Sequence, residues 1–378
     1  MSRPRLLIFS FSNISADARV LKQVARFAED YEVTTCGYGP SPDARVEHLR
    51  LDDANGIRRW RRRDLILRRY RRMYWTQAGV RQARAELTGR PRFDVVLAND
   101  VDTVPLALQL DPARGVHADI HEYAPRLNEE LLVWRVFEAP YARWLCRRFL
   151  ARCASMTTVG QGIADEYLRR FGIRSGVVTN AAPYAELEPR PVGSPIRLVH
   201  SGASLRNRRL EVLVAAAMST SSDVTLDLYL MGNDPDYVAE LRARAAGSER
   251  VRFPEAVPYR HLIARLNEYD VGMHVIAPTN FNNRWALPNK FFDYVQARLA
   301  LVIGPSAEME SLVHVHHLGA VAAGFDAAAV TAVLDSLTAE RVRGWKSNAA
   351  AAAHSLSSET QVEVWARAIR QLIEQAAA

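Results

Sequence analysis

Residues 285–305 read WALPNKFFDYVQARLALVIGP. The stretch opens a helix at Pro288-Asn289-Lys290 and ends in the short apolar run LALVIG, a strand's length. Proline suits the first turn of a helix, where its missing N–H has no partner to lose. The free N–H groups behind it carry partial positive charge. A lysine in that turn opposes the helix dipole, at a cost of about 0.3–1 kcal/mol, and an anion reverses the sign. Lysine is also rare here: Lys22, Lys290 and Lys346 stand against 46 arginines. A compact ammonium at a helix entrance suits a phosphate. One turn on, Asp293 has the chemistry to accept hydrogen bonds from sugar hydroxyls. The competing reading is a solvated Lys–Asp pair three residues apart, as surface helices often make.

Outward from that stretch, helix and strand patterns alternate. RLLIFSF (5–11) is an apolar run, and Val20, Leu21, Val24 and Phe27 follow at helical spacing. YEVTTCGY (31–38), FDVVLAND (93–100), HADIHEY (117–123), ASMTTV (154–159) and SGVVTNA (175–181) read as further strands, several ending in polar residues. Residues 182–195, with four prolines and a glycine, read as a linker. The alternation then restarts at PIRLVHSG (195–202) and runs through VTLDLYLMG (224–232), VRF (251–253), YDVGMHVI (269–276) and LALVIG (299–304). Strands alternating with helices make parallel sheets covered on both faces. The pattern predicts an α/β chain of two Rossmann-like domains with a cleft between them: residues 1–184, residues 185–357, and a last helix, 358–378, returning to the first domain. In such sheets ligands sit at the carboxyl ends of strands.

Length and composition agree. A chain of 378 residues, 48% apolar and 24% charged, is too long for one core and balanced for a globular protein. Cys36, Cys146 and Cys153 lack metal-ligand or C-x-x-C spacing and read as reduced thiols. No run approaches the ~18 apolar residues of a membrane span, and the N-terminus lacks the features of a signal peptide. The expectation is a cytoplasmic protein, free or held peripherally at the inner face of the membrane. The net charge of +7 is local: residues 57–75 hold nine arginines and one aspartate, and the remainder of the chain is close to neutral. That distribution argues against a nucleic-acid-binding surface.

Three further motifs sit at strand ends. SGASLRNRRLE (201–211) places Gly202 at a strand terminus, followed by Arg206, Arg208 and Arg209 at a helix entrance. It supplies cations to a diphosphate, or is a solvated arginine cluster. DIHEYAP (119–125) sends His121 off a sheet edge, where it can orient or deprotonate a hydroxyl; a structural histidine is the plainer alternative. FSNISADARV (11–20) is not G-x-G-x-x-G, which argues against a dehydrogenase.

Taken in order, DARVLKQVARFAEDYEVT, LANDVDTVPLAL, DIHEYAP, TTVGQGIADEY, VVTNAAP, SGASLRNRR and LPNKFFDYVQARLALVIGPSAEM resemble bacterial family-four glycosyltransferases of the GT-B fold, over nearly all of residues 5–312. The resemblance implies transfer of a sugar from a nucleotide-diphosphate donor to a hydroxyl acceptor, with retention, without a metal and without a cofactor other than the donor. The implied pathway is cell-surface polysaccharide, glycolipid or natural-product glycosylation, on an acceptor sugar, a lipid-linked sugar or a small molecule. Carried over residue by residue, Lys290, with Pro288 and Asn289, faces the donor diphosphate and Asp293 the ribose. Arg208 and Arg209 are diphosphate contacts, His121 lies at the sugar and acceptor site, and Gly202 lets the backbone approach the donor. His121, Lys290 and Arg208 are the expected catalytic set. The family's two glutamates eight positions apart are here Trp285 and Asp293, which leaves the sugar open. A nucleotide-sugar epimerase and a non-catalytic partner protein on the same scaffold are the alternatives.

On a helical wheel, Trp60, Ile66, Leu67, Tyr70, Met73 and Tyr74 of residues 57–75 gather on one side and most arginines on the other. The segment reads either as a helix with a basic outer face or as an interfacial helix on an anionic membrane.

Overall fold

A computed structural model describes residues 3–57 and 62–374. The chain divides into two compact units, one of residues 1–179, 280–282 and 361–378, the other of residues 180–279 and 283–360.

Among the described residues, unit 1 holds β1 (Arg5–Asn13), β2 (Glu32–Tyr38), β3 (Glu47–Arg50), β4 (Val95–Asn99), β5 (Val116–Ile120), β6 (Ser155–Thr158) and β7 (Gly176–Val177). They form one sheet, ordered β3-β2-β1-β4-β5-β6-β7 and parallel throughout. β1 and β4 are buried on both faces, which is why they read as unbroken apolar runs. Asp17 starts the helix Ala18–Phe27 by accepting from the N–H groups of Arg19 and Val20. That helix buries Val20, Val24 and Phe27 against Leu6, Ile8, Val95 and Leu97. Trp365, Ala366, Ile369 and Leu372 of the helix Ser358–Glu374 complete the cluster.

Unit 2 holds β8 (Ile196–Ala203), β9 (Val224–Met231), β10 (Val251–Arg252), β11 (Val271–His274), β12 (Ala300–Ile303) and β13 (Gly319–Val321). This parallel sheet is ordered β10-β9-β8-β11-β12-β13. One apolar cluster contains Leu198, Leu226, Val271 and Val302; another contains Val199, Leu301, Phe291 and Phe292. The helix Asn289–Gln296 buries Phe291, Phe292, Tyr294 and Val295. Its seat on the sheet is set by Gly272, where an added Cβ would lie 2.4 Å from the Tyr294 ring. The Ser201 N–H donates to the Tyr294 hydroxyl at 3.1 Å, tying the helix to the end of β8. A branched residue at position 272 would lift the helix, and Lys290 with it.

Several boundaries differ from the sequence reading. The described part of residues 57–75 is not one helix but two, Arg62–Ile66 and Tyr70–Trp75, broken where Arg68 turns left-handed at φ +52°; Trp60 lies outside the described residues. β5 stops at Ile120, so His121 is in the loop beyond it. The helix read near 207–218 is a 3₁₀ turn, Arg206–Arg208, then a helix, Glu211–Ser219, separated at Arg209 with φ +50°. The strand read over 175–181 shrinks to Gly176–Val177. Residues 182–193 hold no regular secondary structure.

Candidate functional site

In unit 2 the carboxyl ends of β8 and β11 deliver His200 and His274 beside the first turn of Asn289–Gln296. Lys290 Nζ lies 3.5 Å from His200 Nε2. His200 Nδ1 is 2.9 Å from the Met273 carbonyl, an acceptor, so Nδ1 carries the proton and Nε2 presents a lone pair to the ammonium. Gly202, at φ +138°, lies so close that a Cβ there would sit 2.5 Å from Lys290 Nζ. Among the described residues, His274 Nδ1 is buried without a hydrogen-bond partner.

These groups crowd positive charge. Burial, then the Arg208 guanidinium, push the Lys290 ammonium down to about 7, against a smaller opposing pull from Asp293. Burial and Lys290 hold both His200 and His274 well below the ordinary imidazole range. Both rings are therefore neutral at pH 7, and Lys290 is poised between its two states. An anion would favour the charged form of all three.

Arg208, half-buried at the end of its 3₁₀ turn, acts electrostatically on Lys290, His200 and His274. Its neighbours point elsewhere: Arg206 pairs with Glu240 at 2.6 Å, and exposed Arg209 lies 3.7 Å from Glu211. Of the arginines in this motif, Arg208 is the one whose charge is felt at Lys290, while Arg209 lies beside Glu211. Pro288 caps the helix and Asn289 is exposed in its first turn. Asp293, 3% exposed, accepts from the Tyr259 hydroxyl at 3.1 Å. Trp285 is half-buried, with the Arg284 guanidinium 5.9 Å from its ring.

In unit 1, His121 follows β5 and stands above a buried polar network. Asp119, fully buried, accepts from Arg19 Nε at 2.8 Å and Nη2 at 2.7 Å. Gln23 donates to it at 2.8 Å, Thr157 at 2.7 Å and the Trp365 indole at 3.1 Å. Burial alone would raise the Asp119 carboxyl, but Arg19 and His121 hold it far below the usual range. His121 Nε2 is 3.2 Å from Asn99 Oδ1 and 3.5 Å from Asp119; Nδ1 is 3.5 Å from Asp100. Burial opposes its charged form, yet Asp100 and Asp119 outweigh burial and raise its pKa.

His200, His274, Arg19 and Asp119 escaped the sequence reading as site residues. A histidine in RLVH and an aspartate in HADIH are polar residues inside short strands, and only strand register brings their partners to them. Among the described residues, no three or more His, Cys, Asp and Glu side chains are grouped to hold a metal, and no helix is long and apolar enough to cross a membrane.

No family model matches the sequence, and no curated protein matches it. Solved structures do match, over nearly the whole chain. HepE from Anabaena in complex with UDP aligns with a TM-score of 0.69 at 13% identity, covering 97% of this chain and 100% of that one. The sucrose-phosphate synthase of Thermosynechococcus elongatus gives 0.69 at 14%, and the UDP-forming trehalose-phosphate synthase of Burkholderia vietnamiensis 0.69 at 12%, each covering 100% of both chains. The two parallel-sheet units are those of the GT-B fold.

Proposed function

We propose that this chain is a glycosyltransferase that moves a sugar from a nucleotide-diphosphate donor to a hydroxyl acceptor, with retention and without a metal. The observation that carries the reading is the Lys290 cluster: one ammonium, one guanidinium and two imidazoles gathered at a helix entrance on the carboxyl edge of a parallel sheet. A diphosphate is the anion whose charge and size fit such a group. The structural neighbours support it, since HepE was solved with UDP and with UDP-glucose, and a trehalose-6-phosphate structure with UDP-2-fluoro glucose.

The chemistry follows from the charges. When the bond from sugar to diphosphate breaks, negative charge grows on the leaving oxygens. Lys290 and Arg208 hold that charge more tightly than they hold the intact donor, which is the condition for acceleration. Gly202 leaves room for the ammonium at the point where the strand's backbone approaches the donor, and Asp293 takes a ribose hydroxyl. His121, whose pKa Asp100 and Asp119 raise, donates from its protonated form to a sugar hydroxyl. The acceptor hydroxyl passes its proton to the departing phosphate. The acceptor is a sugar, a lipid-linked sugar or a small molecule of cell-surface polysaccharide, glycolipid or natural-product synthesis, and the work is cytoplasmic.

A thermal-shift panel of nucleoside diphosphates tests the donor site. Wild type gains Tm with at least one of them, by about 2.7 kcal/mol of stabilisation at a ligand concentration of 100 Kd; Lys290→Ala loses most of the gain. If no nucleoside diphosphate shifts the wild type, the donor reading falls. Release of nucleoside diphosphate that depends on an acceptor, with the sugar recovered on the acceptor, separates transfer from epimerisation and from a partner protein without chemistry.

A further inference from the structure

We propose that unit 1 docks onto an anionic lipid bilayer through a face built from two stretches distant in sequence, residues 62–75 and 131–148. The first observation is apolar exposure. Ile66 and Leu67 are 58% and 53% exposed, and Leu131, Leu132, Val133 and Val136 between 48% and 66%. Of the thirteen large apolar side chains exposed among the described residues, six fall in these two short segments. The segments are joined: the helix Arg62–Ile66 packs on Trp134–Glu138, and the Tyr70 ring lies tilted against Tyr141 and Trp144, with centroids 5.7 and 5.8 Å apart. Their leucines and valines therefore belong to one continuous patch.

The second observation is charge. Residues 62–75 carry six arginines against one aspartate, and residues 131–148 four arginines against one glutamate. Together that is +8, in a chain whose net charge is +7. Asp64, the one acid of the first stretch, is buried, while Arg68, Arg69, Arg71 and Arg72 are exposed. A cavity of about 410 Å³ is lined by Arg126, Arg135, Arg143, Arg147 and Arg170 together with Glu129 and Glu166, which pair with Arg126 and Arg170 and leave the other three arginines in excess. It shares Arg143 and Arg147 with a groove formed by Arg68, Tyr70 and Trp144. Among the described residues, Arg135, Arg143 and Arg147 have no carboxylate within ion-pair distance.

Aliphatic side chains facing water within a field of arginines, with Trp and Tyr alongside, match the layers of a bilayer surface: chains enter the acyl boundary, rings lie at headgroup depth and guanidinium groups meet phosphates. A merely solvated basic face would not carry exposed leucines and valines. A second copy fits poorly, because each face would bring +8 against +8. A nucleic acid would meet the charge but leave the aliphatic patch without a partner.

The test is co-sedimentation of the full chain with vesicles of phosphatidylcholine alone or with about one third phosphatidylglycerol. The protein pellets with the anionic vesicles only, and less so as salt rises. Leu132→Asp with Val133→Asp, and separately Arg143→Glu with Arg147→Glu, each reduce partitioning at least about tenfold. All four positions are exposed, and both variants should keep the wild-type Tm and the Tm gain with nucleoside diphosphate. That second readout separates failure of docking from failure of the glycosyltransferase reading, on which docking does not rest. Wild type that stays in the supernatant with anionic vesicles at low salt overturns the proposal. So does an aspartate variant that pellets like wild type, or a lipid-insensitive dimer that the aspartate variant splits.

Discussion

Gly202 and Lys290 meet across the carboxyl end of unit 2's sheet, the ammonium occupying the space where a side chain on Gly202 would begin. Gly202→Ala therefore does two things. It forces a Cβ into a backbone with φ +138°, costing about 1–3 kcal/mol. It also pushes Nζ away from His200. A drop in Tm together with weaker nucleoside diphosphate binding by calorimetry is the expected result. Loss of stability with unchanged affinity would show that the contact serves the fold alone.

The ammonium's position near neutrality gives binding a pH signature. With Lys290 at about 7 in the free protein, most chains already carry the charge at pH 6, while few do at pH 8. A diphosphate favours the charged form, so binding at pH 8 takes up close to one proton and binding at pH 6 takes up little. Affinity then falls by up to about tenfold per pH unit above 7, until the raised pKa of the complex is reached. Calorimetry in two buffers of different ionisation enthalpy measures the proton directly. Lys290→Arg, charged throughout, should flatten the slope. For the free protein, a cation whose folded pKa lies below its unfolded value destabilises the fold when charged, so this group's contribution to stability rises from pH 7 towards 10.5.

Much of the architecture was legible because buried parallel strands leave apolar runs, and nearly every strand core in unit 2 coincides with one. The helix entrance at Pro288 and the rarity of lysine also drew attention, from sequence, to the candidate cluster around Lys290. What stayed hidden was whatever depends on register. His200 reads as one more strand residue until β8 pairs with β11 and the Tyr294 ring settles on Gly272. Arg208 and Arg209 are indistinguishable in sequence, yet a left-handed turn at Arg209 sends one inward and the other to water. Arg68 broke the helix expected over 57–75 in the same way, since a non-glycine residue in that conformation has no sequence signature. The apolar patch of residues 131–136 was missed because a short aliphatic run reads as core until its exposure is known.

The His121 pKa is raised by two carboxylates of different exposure, and they can be separated. Asp100 is about half exposed and lies 3.5 Å from Nδ1. Asp100→Asn removes the leading favourable interaction, so the His121 pKa falls while the fold, with Asp119 intact, is little affected. NMR titration of the ring reads the shift. In the proposed reaction, transfer at pH 7 then declines, because fewer molecules offer a protonated imidazole. A pKa that does not move would mean that Asp119 alone sets the charge state.

Beneath that histidine, Arg19 and Asp119 form a bidentate pair closed off by Trp365, with the guanidinium 4.8 Å from the indole ring. The pair itself adds little net stability over an apolar replacement, because both ions give up hydration. Removing one ion alone is another matter. Arg19→Met leaves a buried carboxylate with only neutral donors and His121 beside it, at a cost of about 3–5 kcal/mol. For unit 1 this is a fall in Tm of many degrees. The sign of its pH dependence is diagnostic. In wild type, the depressed Asp119 carboxyl contributes stability that is present at neutral pH and lost as pH falls through its folded value. In Arg19→Met the carboxyl rises, so the deficit relative to wild type narrows as acid protonates it. Arg19→Met with Asp119→Leu removes both ions and should recover much of the loss. A double variant no more stable than the single one would show that Arg19 acts through its packing on Trp365 rather than through its charge.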